Sequence, residues 1–474
     1  MEELSNENAQ MSRVTKVAIT GLFGLYDHMI DLNEADKITI IHGPNGVGKT
    51  VLLKAIAAFF KGNYSLLTDT PFKTLTIWLN NGEHVVISRV NSSRKGGRTH
   101  FAIDVSMPIG ELLDLGAPYR IELPEEYARF ASSMARHIPG LQQIGPDEFF
   151  DSRLNAPLDA EQVIWRYADH PATPGIFKRR ISAVEPPEVR KFRQRVNVRM
   201  IETNRLYKVE SNEVDFEAAA QLKDRITDYA TQLSDRIEQT LADYGRNAQK
   251  LDQTFPHRLI SEEILPLSVD ALKKSIKGLD DTQKALAEFG LLEKLATIPF
   301  ADDASEIEGS KLVALTLFTR DIKEKIAVLG PLSNRIKIFL NSINSKLRNK
   351  KIHINKESGL IAKDALGTIL PLEDLSSGEQ HEIVLAFELV FNMPKNSLVL
   401  LDEPELSLHV TWQRMFLPEL MRISSEVGFD CIIATHSPFI VGSRTDLLVL
   451  LDADPDVDLP IERWPDNNSS SQEN

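Results

Sequence analysis

The sequence predicts an α/β fold in which a β-rich lobe and a parallel sheet with flanking helices are separated by a short α-helical insertion. Three observations support this prediction. The first 110 or so residues alternate apolar runs with tight turns, as strands do. From Asp215 to about residue 348 the apolar residues recur every three or four positions, as on one face of a helix. After Lys350 short apolar strands alternate with helices, which is typical of a parallel sheet.

The β-rich lobe is expected to contain one helix, from about Lys49 to Phe60, directly after a buried strand. Asn81-Gly82 has the composition of a hairpin turn between two alternating strands. The predicted strands of the lobe are 14–19, 38–41, 75–79, 85–87, 101–105 and 196–201.

The insertion begins with a predicted helix of about 30 residues, roughly 45 Å long at 1.5 Å per residue. Further helical patterns follow, and Pro256, Pro266, Pro299 and Pro331 are expected to break the series. The insertion is thus predicted to be a short stalk or small bundle. The predicted organisation is a disordered leader (1–13), a first lobe (14–204), the insertion as a stalk and dimer or partner-binding region (205–348), a second lobe (349–464) and a disordered tail (465–474).

The second lobe is expected to supply the remaining strands of the parallel sheet. Predicted strands cover 398–401 and 431–434, and predicted helices run from about Gly378 to Phe391 and from about Trp412 to Ser424. In such a sheet ligands bind beyond the carboxyl ends of the strands.

Charge and cysteine content exclude several classes of protein. With 54 basic and 68 acidic residues the net charge is −14, so contact with DNA would need a local basic patch. Candidate patches lie at 94–98, 178–205 and 346–351. The single cysteine excludes an internal disulfide and a CxxC metal site, and without an apolar run of membrane-spanning length a cytoplasmic protein is expected.

The run from Gly43 to Thr50 matches G-x4-G-K-[ST] between the predicted strand and helix. Its glycines let backbone N–H groups surround phosphate oxygens, and the helix N-terminus favours negative charge. Lys49 would reach the β- and γ-phosphates of a nucleotide, and Thr50 would bind Mg²⁺. The predicted nucleotide-binding residues are Gly43, Pro44, Asn45, Gly46, Val47, Gly48, Lys49 and Thr50.

Two acids, Asp402 and Glu403, follow a buried strand at the edge of the sheet where ligands bind in α/β folds. Asp402 would hold the Mg²⁺ shell, directly or through water. Glu403 would act as general base on the attacking water.

A third motif, Leu-Ser-Ser-Gly-Glu-Gln at 375–380, opens a helix. With the two motifs above, it resembles the signature of ABC-type ATPases of the SMC, RecF and OLD-like group. The resemblance implies an ABC ATPase head in which Ser376, Ser377 and Gly378 contact the γ-phosphate held by the opposite subunit. ATP would then be sandwiched in a homodimer, with Mg²⁺ as cofactor.

Further positions match the same group. The run from Glu405 to His409 resembles the D-loop, and His436 resembles the histidine that senses the γ-phosphate and completes catalysis with Glu403 and Lys49. Asn204 stands at the expected Q-loop position, with Gln142 and Gln143 as rivals.

The segments at 21–28 and 201–206 most resemble the AriA family, the ATPase subunits of the PARIS anti-phage system. That resemblance implies a homo-oligomer, up to a hexamer, that controls a separate TOPRIM-type effector nuclease and responds to an acidic phage trigger protein. The alternatives are a RecF- or SMC-like DNA-repair ATPase and the ATPase of another two-gene defence system such as Septu.

Overall fold

The computed structural model describes residues 11–90, 100–106, 119–121, 127–152, 156–167, 185–201, 207–210, 221–292, 309–406, 408 and 410–451. The β-strands are β1 Val14–Leu22, β2 Tyr26–Asp31, β3 Ile38–His42, β4 Thr74–Leu79, β5 His84–Val90, β6 His100–Ser106, β7 Tyr119–Ile121, β8 Leu141–Gln143, β9 Glu148–Asp151, β10 Ala156–Asp159, β11 Asn197–Ile201, β12 Tyr207–Glu210, β13 Gln221–Asp224, β14 Lys350–Asn355, β15 Gly359–Asp364, β16 Ile369–Leu370, β17 Ser397–Asp402, β18 Asp430–Ala434 and β19 Leu448–Leu450. The α-helices are α1 Lys49–Lys61, α2 Tyr64–Asp69, α3 Tyr127–Ala135, α4 Ala160–Tyr167, α5 Pro187–Gln194, α6 Arg225–Ser261, α7 Val269–Glu288, α8 Gly309–Ala327, α9 Gly330–Asn344, α10 Ser377–Phe387, α11 Val410–Val427 and α12 Pro438–Val441.

A five-stranded parallel sheet in the order β11-β17-β18-β3-β19 confirms the predicted α/β fold. β17 is buried at every position, because both faces of the sheet are covered. Successive side chains point to opposite faces: Leu398 and Leu400 join one core, while Val399 and Leu401 join the other. The sheet therefore separates two hydrophobic cores.

The first core lies between the parallel sheet and an antiparallel sheet in the order β2-β1-β4-β5-β6-β7. α1 contributes to this core along most of its length, including Phe59, which contacts Phe192 of α5. Because the phosphate loop leads directly into α1, this packing fixes the direction of the helix that begins there.

The second core joins the other face of the sheet to α6, α9, α10 and α11. Tyr229 of α6 stacks on Phe387 at the end of α10, with ring centroids 4.6 Å apart. A π-helical turn, Glu388–Asn392, continues α10. Arg236 of α6 donates to the carbonyl of Phe391 in that turn at 2.7 Å, so the insertion is anchored to the helix that follows the LSSGEQ run.

The first helix of the insertion is longer than the sequence analysis predicted. α6 contains 37 residues and continues through Pro256, which corresponds to about 55 Å. The prediction that Pro256 breaks the helical series is therefore wrong. Arg258 lies two residues beyond it and pairs with Asp321 of α8 at 2.6 Å, which holds the last turns in place.

Several residues of two basic clusters pair with carboxylates within the described part of the protein. Lys346 is buried between Glu382 and Glu419, and Lys350 pairs with Glu379. In the 178–205 cluster Arg193 pairs with Glu185 and Arg195 with Glu83. The charges of these four side chains are compensated internally, whereas Arg199, Arg348 and Lys351 of the same clusters are exposed. The 94–98 cluster lies outside the described residues.

Candidate functional site

The phosphate loop connects the end of β3 to the start of α1. Gly46 and Gly48 both have φ of 93°, a backbone conformation that favours glycine. A Cβ at Gly48 would lie 2.3 Å from Leu22 Cδ2, and a Cβ at Gly43 would lie 2.7 Å from the carbonyl of Leu451. Packing thus requires glycine at 43 and 48, and the turn also requires it at 48, while residues 44–46 are open to solvent.

Lys49 is the first residue of α1, and its side chain folds back along the loop. Its Nζ donates to the carbonyls of Gly43 and Pro44 at 2.7 and 2.9 Å. Burial lowers the pKa of Lys49, and the nearby carboxylates of Glu403, Asp402 and Glu405 oppose that effect.

Thr50 and Asp402, the two predicted magnesium ligands, lie next to each other although they are far apart in the sequence. Thr50 Oγ1 donates to Asp402 Oδ1 at 2.8 Å. Asp402 is the last residue of β17, and its position beside the start of α1 follows from the sheet order. Two hard oxygen ligands at the mouth of a phosphate loop fit Mg²⁺, which takes few protein ligands where phosphates complete its shell.

Glu403 lies at the turn after β17 in a strained conformation. Its φ is 43°, rare for a residue with a side chain, and its N–H donates to the carbonyl of Ala434 at 2.8 Å. Glu403 Oε1 lies 3.3 Å from Nε2 of His436. The predicted acid and the predicted histidine therefore face each other.

His436 also contacts Lys49, so the three predicted catalytic residues form one chain. Lys49 Nζ lies 3.3 Å from His436 Nδ1. A lysine ammonium can only donate, so Nδ1 is the acceptor and the proton of a neutral imidazole lies on Nε2. That proton points towards Glu403, which fixes the tautomer by geometry.

Glu405 holds the segment that carries His436, a role that the sequence analysis missed. Its Oε1 accepts from Thr435 Oγ1, His436 N and Ser437 N at 2.7, 2.8 and 3.1 Å. Gln413 of α11 accepts from Ser437 Oγ at 2.7 Å and donates to the carbonyls of Glu405 and Leu408. The two sides of the site are thus joined. Ser407 and His409 of the predicted D-loop lie outside the described residues.

His42 and Phe23 are two further residues at the loop that the sequence analysis did not single out. His42 Nδ1 lies 3.1 Å from the carbonyl of Thr435, and burial lowers its pKa, assisted by Lys49 and His436. Phe23, with φ of 54° and 41% exposure, lies against Gly48. His42 directly precedes the motif and Phe23 lies in an earlier turn, and neither belongs to the G-x4-G-K-[ST] pattern.

The signature residues lie at the start of α10. Ser376 caps the helix, and its N and Oγ donate to Glu379 Oε2 at 2.8 and 3.0 Å, a capping box. Ser376 and Ser377 are exposed and Gly378 is partly exposed. Among the described residues none of the three hydrogen-bonds to Lys49, Thr50 or His436, so the structure does not bring the signature to the phosphate loop of the same chain.

Of the Q-loop candidates, Asn204 lies outside the described residues. Gln142 and Gln143 are exposed on β8, and Gln143 donates to the carbonyl of Gly145 at 2.9 Å in a local turn.

Among the described residues there is no cluster of three or more His, Cys, Asp or Glu that could hold a metal. A P-loop magnesium site does not require one.

Comparisons with known proteins find relatives among ATP-binding proteins. The chain is 33% identical to the molybdenum import ATP-binding protein ModC of Bordetella pertussis over 103 residues. This aligned stretch covers 22% of this chain and 27% of that protein. The chain is also 25% identical to an uncharacterized ABC transporter ATP-binding protein, y4fO, of Sinorhizobium fredii over 228 residues. That aligned stretch covers 46% of this chain and 63% of that protein. The chain thus spans about a quarter of the length of its ModC relatives. None of the helices in the described part of the chain could cross a membrane.

Solved structures of SMC heads also match, at low similarity. The head from Pyrococcus furiosus bound to the C-terminal domain of ScpA has a TM-score of 0.37 and 14% identity, covering 91% of each chain. The head from Thermotoga maritima has a TM-score of 0.29 and 11% identity, covering 92% of this chain and 93% of that one.

A family model matches residues 38–442, which span the phosphate loop, the insertion, the Asp402-Glu403 pair and His436. The match covers most of the chain and confirms the prediction of a P-loop ATPase. The chain belongs to the family described as AAA domain, putative AbiEii toxin, Type IV TA system.

Proposed function

We propose that this chain binds and hydrolyses ATP at the site formed by the phosphate loop, Asp402, Glu403 and His436. The chain of contacts from Lys49 through His436 to Glu403 carries the proposal, because it joins a phosphate-binding cation to a general base. The loop amides and Lys49 hold the phosphates of ATP. Thr50 and Asp402 would hold Mg²⁺, which supplies charge neutralisation at the phosphates.

Glu403 then acts as the general base for the water molecule that attacks ATP. A carboxylate accepts the proton as the water oxygen attacks the γ-phosphorus, and the bond to the β–γ bridging oxygen breaks. His436 donates from Nε2 towards Glu403, which orients the carboxylate and leaves its second oxygen for the water. Glu405 acts through His436 as a positioning residue.

Two variants test this assignment. Glu403→Gln should retain ATP binding and lose at least about 100-fold in kcat, because the amide is a poor base. Lys49→Ala should lose ATP binding itself. The measurements are phosphate release and calorimetric titration of ATP, with the exposed Glu426→Gln as a matched control. Normal hydrolysis by Glu403→Gln would refute the assignment.

We further propose that the ATPase is the sensor and scaffold of a bacterial anti-phage system that controls a separate TOPRIM-type nuclease. The AriA-like segments at 21–28 and 201–206 support this role. So does the family description, which names a toxin–antitoxin system.

The native locus provides the test of the defence role. The tagged chain should co-purify with the product of the adjacent gene, and duplex DNA should not change its turnover. Stimulation by duplex DNA with a steep salt dependence would instead support the DNA-repair alternative. A neighbouring product unrelated to TOPRIM nucleases would support another two-gene system such as Septu.

A further inference from the structure

A second concave site lies beside α1, away from the phosphate loop. It is a cavity of about 430 Å³ between α1, β11, the start of α6 and the segment before β17. Among the described residues, its lining includes four that are basic, Lys54, Lys61, Arg199 and Arg225, and one that is acidic, Glu388. A cavity of this size is within the range of small-ligand sites.

The positive charge of this cavity is not neutralised by the described part of the protein. No carboxylate among the described residues forms an ion pair with Lys54, Lys61, Arg199 or Arg225, whereas neighbouring Arg193 and Arg195 are both paired. Glu388 already accepts hydrogen bonds from Tyr229 and Asn392. In a chain with a net charge of −14, four cations around one cavity create a local site for an anion.

The cavity is distinct from the phosphate loop. Lys49 begins α1 and Lys61 ends it, and twelve residues at 1.5 Å each separate them by about 18 Å along the helix. Lys54 and Lys61 lie beyond the residues assigned to ATP. A ligand in the cavity would therefore bind without displacing the nucleotide.

We propose that this cavity binds a small anion that carries two or more phosphate groups. Guanidinium groups match phosphate oxygens in a bidentate manner, and lysines add point charges. The described residues of the lining include no aromatic side chain, so they offer no platform for the stacking of bases that single-stranded nucleic acids use. Charge and size therefore favour a free polyphosphate or a phosphorylated metabolite over a nucleic acid.

The test is calorimetric titration of inorganic triphosphate into the full chain carrying Lys49→Ala, which removes the phosphate loop as a competing site. Binding should persist in this variant. Adding Lys61→Gln and Arg199→Gln should weaken binding at least tenfold. Both side chains are exposed, so the fold should be retained, and thermal unfolding would verify this. Lys54→Gln alone is an independent second variant and should also weaken binding.

The matched control removes two charges elsewhere, with Lys351→Gln and Lys363→Gln on β14 and β15, and should leave binding unchanged. Three outcomes would overturn the proposal. Triphosphate binding could vanish with Lys49→Ala alone, or it could weaken equally in the control. A 20-nucleotide single strand could compete more tightly than triphosphate, which would assign the cavity to nucleic acid. The first outcome leaves the ATPase assignment intact, since it concerns only the second site.

Discussion

At the scale of single residues, Glu405 connects the two halves of the site. One carboxylate oxygen accepts three hydrogen bonds from the segment at 435–437, and its other oxygen is buried without a hydrogen-bond partner in the described structure. A buried charge is tolerated only where its partners are well placed. The position of His436 therefore depends on a residue outside the chain of Lys49, His436 and Glu403.

Glu405→Gln should lower kcat by up to about 100-fold with little change in KM, because a displacement of about 1 Å at a catalytic group can have that effect. The amide keeps the shape of the carboxylate but loses the negative charge, which strengthens the three hydrogen bonds that Glu405 accepts. Steady-state kinetics would measure both constants. An increase in KM with unchanged kcat would show that Glu405 acts on nucleotide binding instead.

His42 makes the free energy of unfolding depend on pH. Burial lowers its pKa, with Lys49 and His436 acting in the same direction. The unfolded chain then binds more protons than the folded one below about pH 6.5, so the free energy of unfolding falls as pH falls through that value. His42→Gln should lessen this loss. Urea unfolding at about pH 7.5 and 5.5 would measure it, and an unchanged pH slope would contradict the assignment.

The sequence predicts which residues form the site better than it predicts the contacts between them. Lys49, Thr50, Asp402, Glu403 and His436 lie in motifs whose spacing marks them, and the structure brings them together. The roles of Glu405 and His42 depend on partners that no local pattern specifies. His42 bonds to Thr435 across 393 residues of sequence.

At the scale of elements, a buried ion triad ties the end of the insertion to the signature helix. Lys346, just after α9, pairs with Glu382 of α10 and Glu419 of α11, and its side chain is 3% exposed. The two carboxylates raise its pKa despite the opposing effect of burial. Any movement of the insertion is thereby coupled to the helix that begins with Ser377.

Lys346→Met should destabilise the protein by about 3–5 kcal/mol, because two carboxylates remain buried without their cation. Replacing all three residues, Lys346→Met with Glu382→Leu and Glu419→Leu, should restore most of that loss. Denaturant unfolding would measure both. If the triple variant is no more stable than the single one, packing rather than charge explains the effect.

The long helices and the central strands were predictable from apolar periodicity, whereas the short elements α2 to α5 and β7 to β10 were not. Pro256 removes a backbone donor from α6, yet the helix continues because Arg258 is held by Asp321. β19 has three residues, too few for a pattern, and it forms because β3 offers a free edge.

At the scale of the whole molecule, the exposed signature residues do not bond to the phosphate loop of their own chain. We therefore expect ATP to bring two copies together. Glu403→Gln with ATP should shift the mass measured by light scattering from one copy to two or a multiple of two. Ser377→Arg, which adds bulk at the exposed start of α10, should prevent the shift while ATP still binds. A mass independent of ATP would contradict the sandwich arrangement.

The position of β3 has a consequence for the time at which the protein can fold. This strand carries the phosphate loop, but its neighbours in the sheet are β18 and β19, near residues 430 and 450. At roughly 5–20 residues per second of synthesis, on the order of 20–80 seconds pass between the synthesis of β3 and that of β18. During that interval Ile38, Ile40 and Ile41, which are buried in the finished sheet, depend on other protection from aggregation. A ribosome stalled before residue 430 would therefore expose this strand.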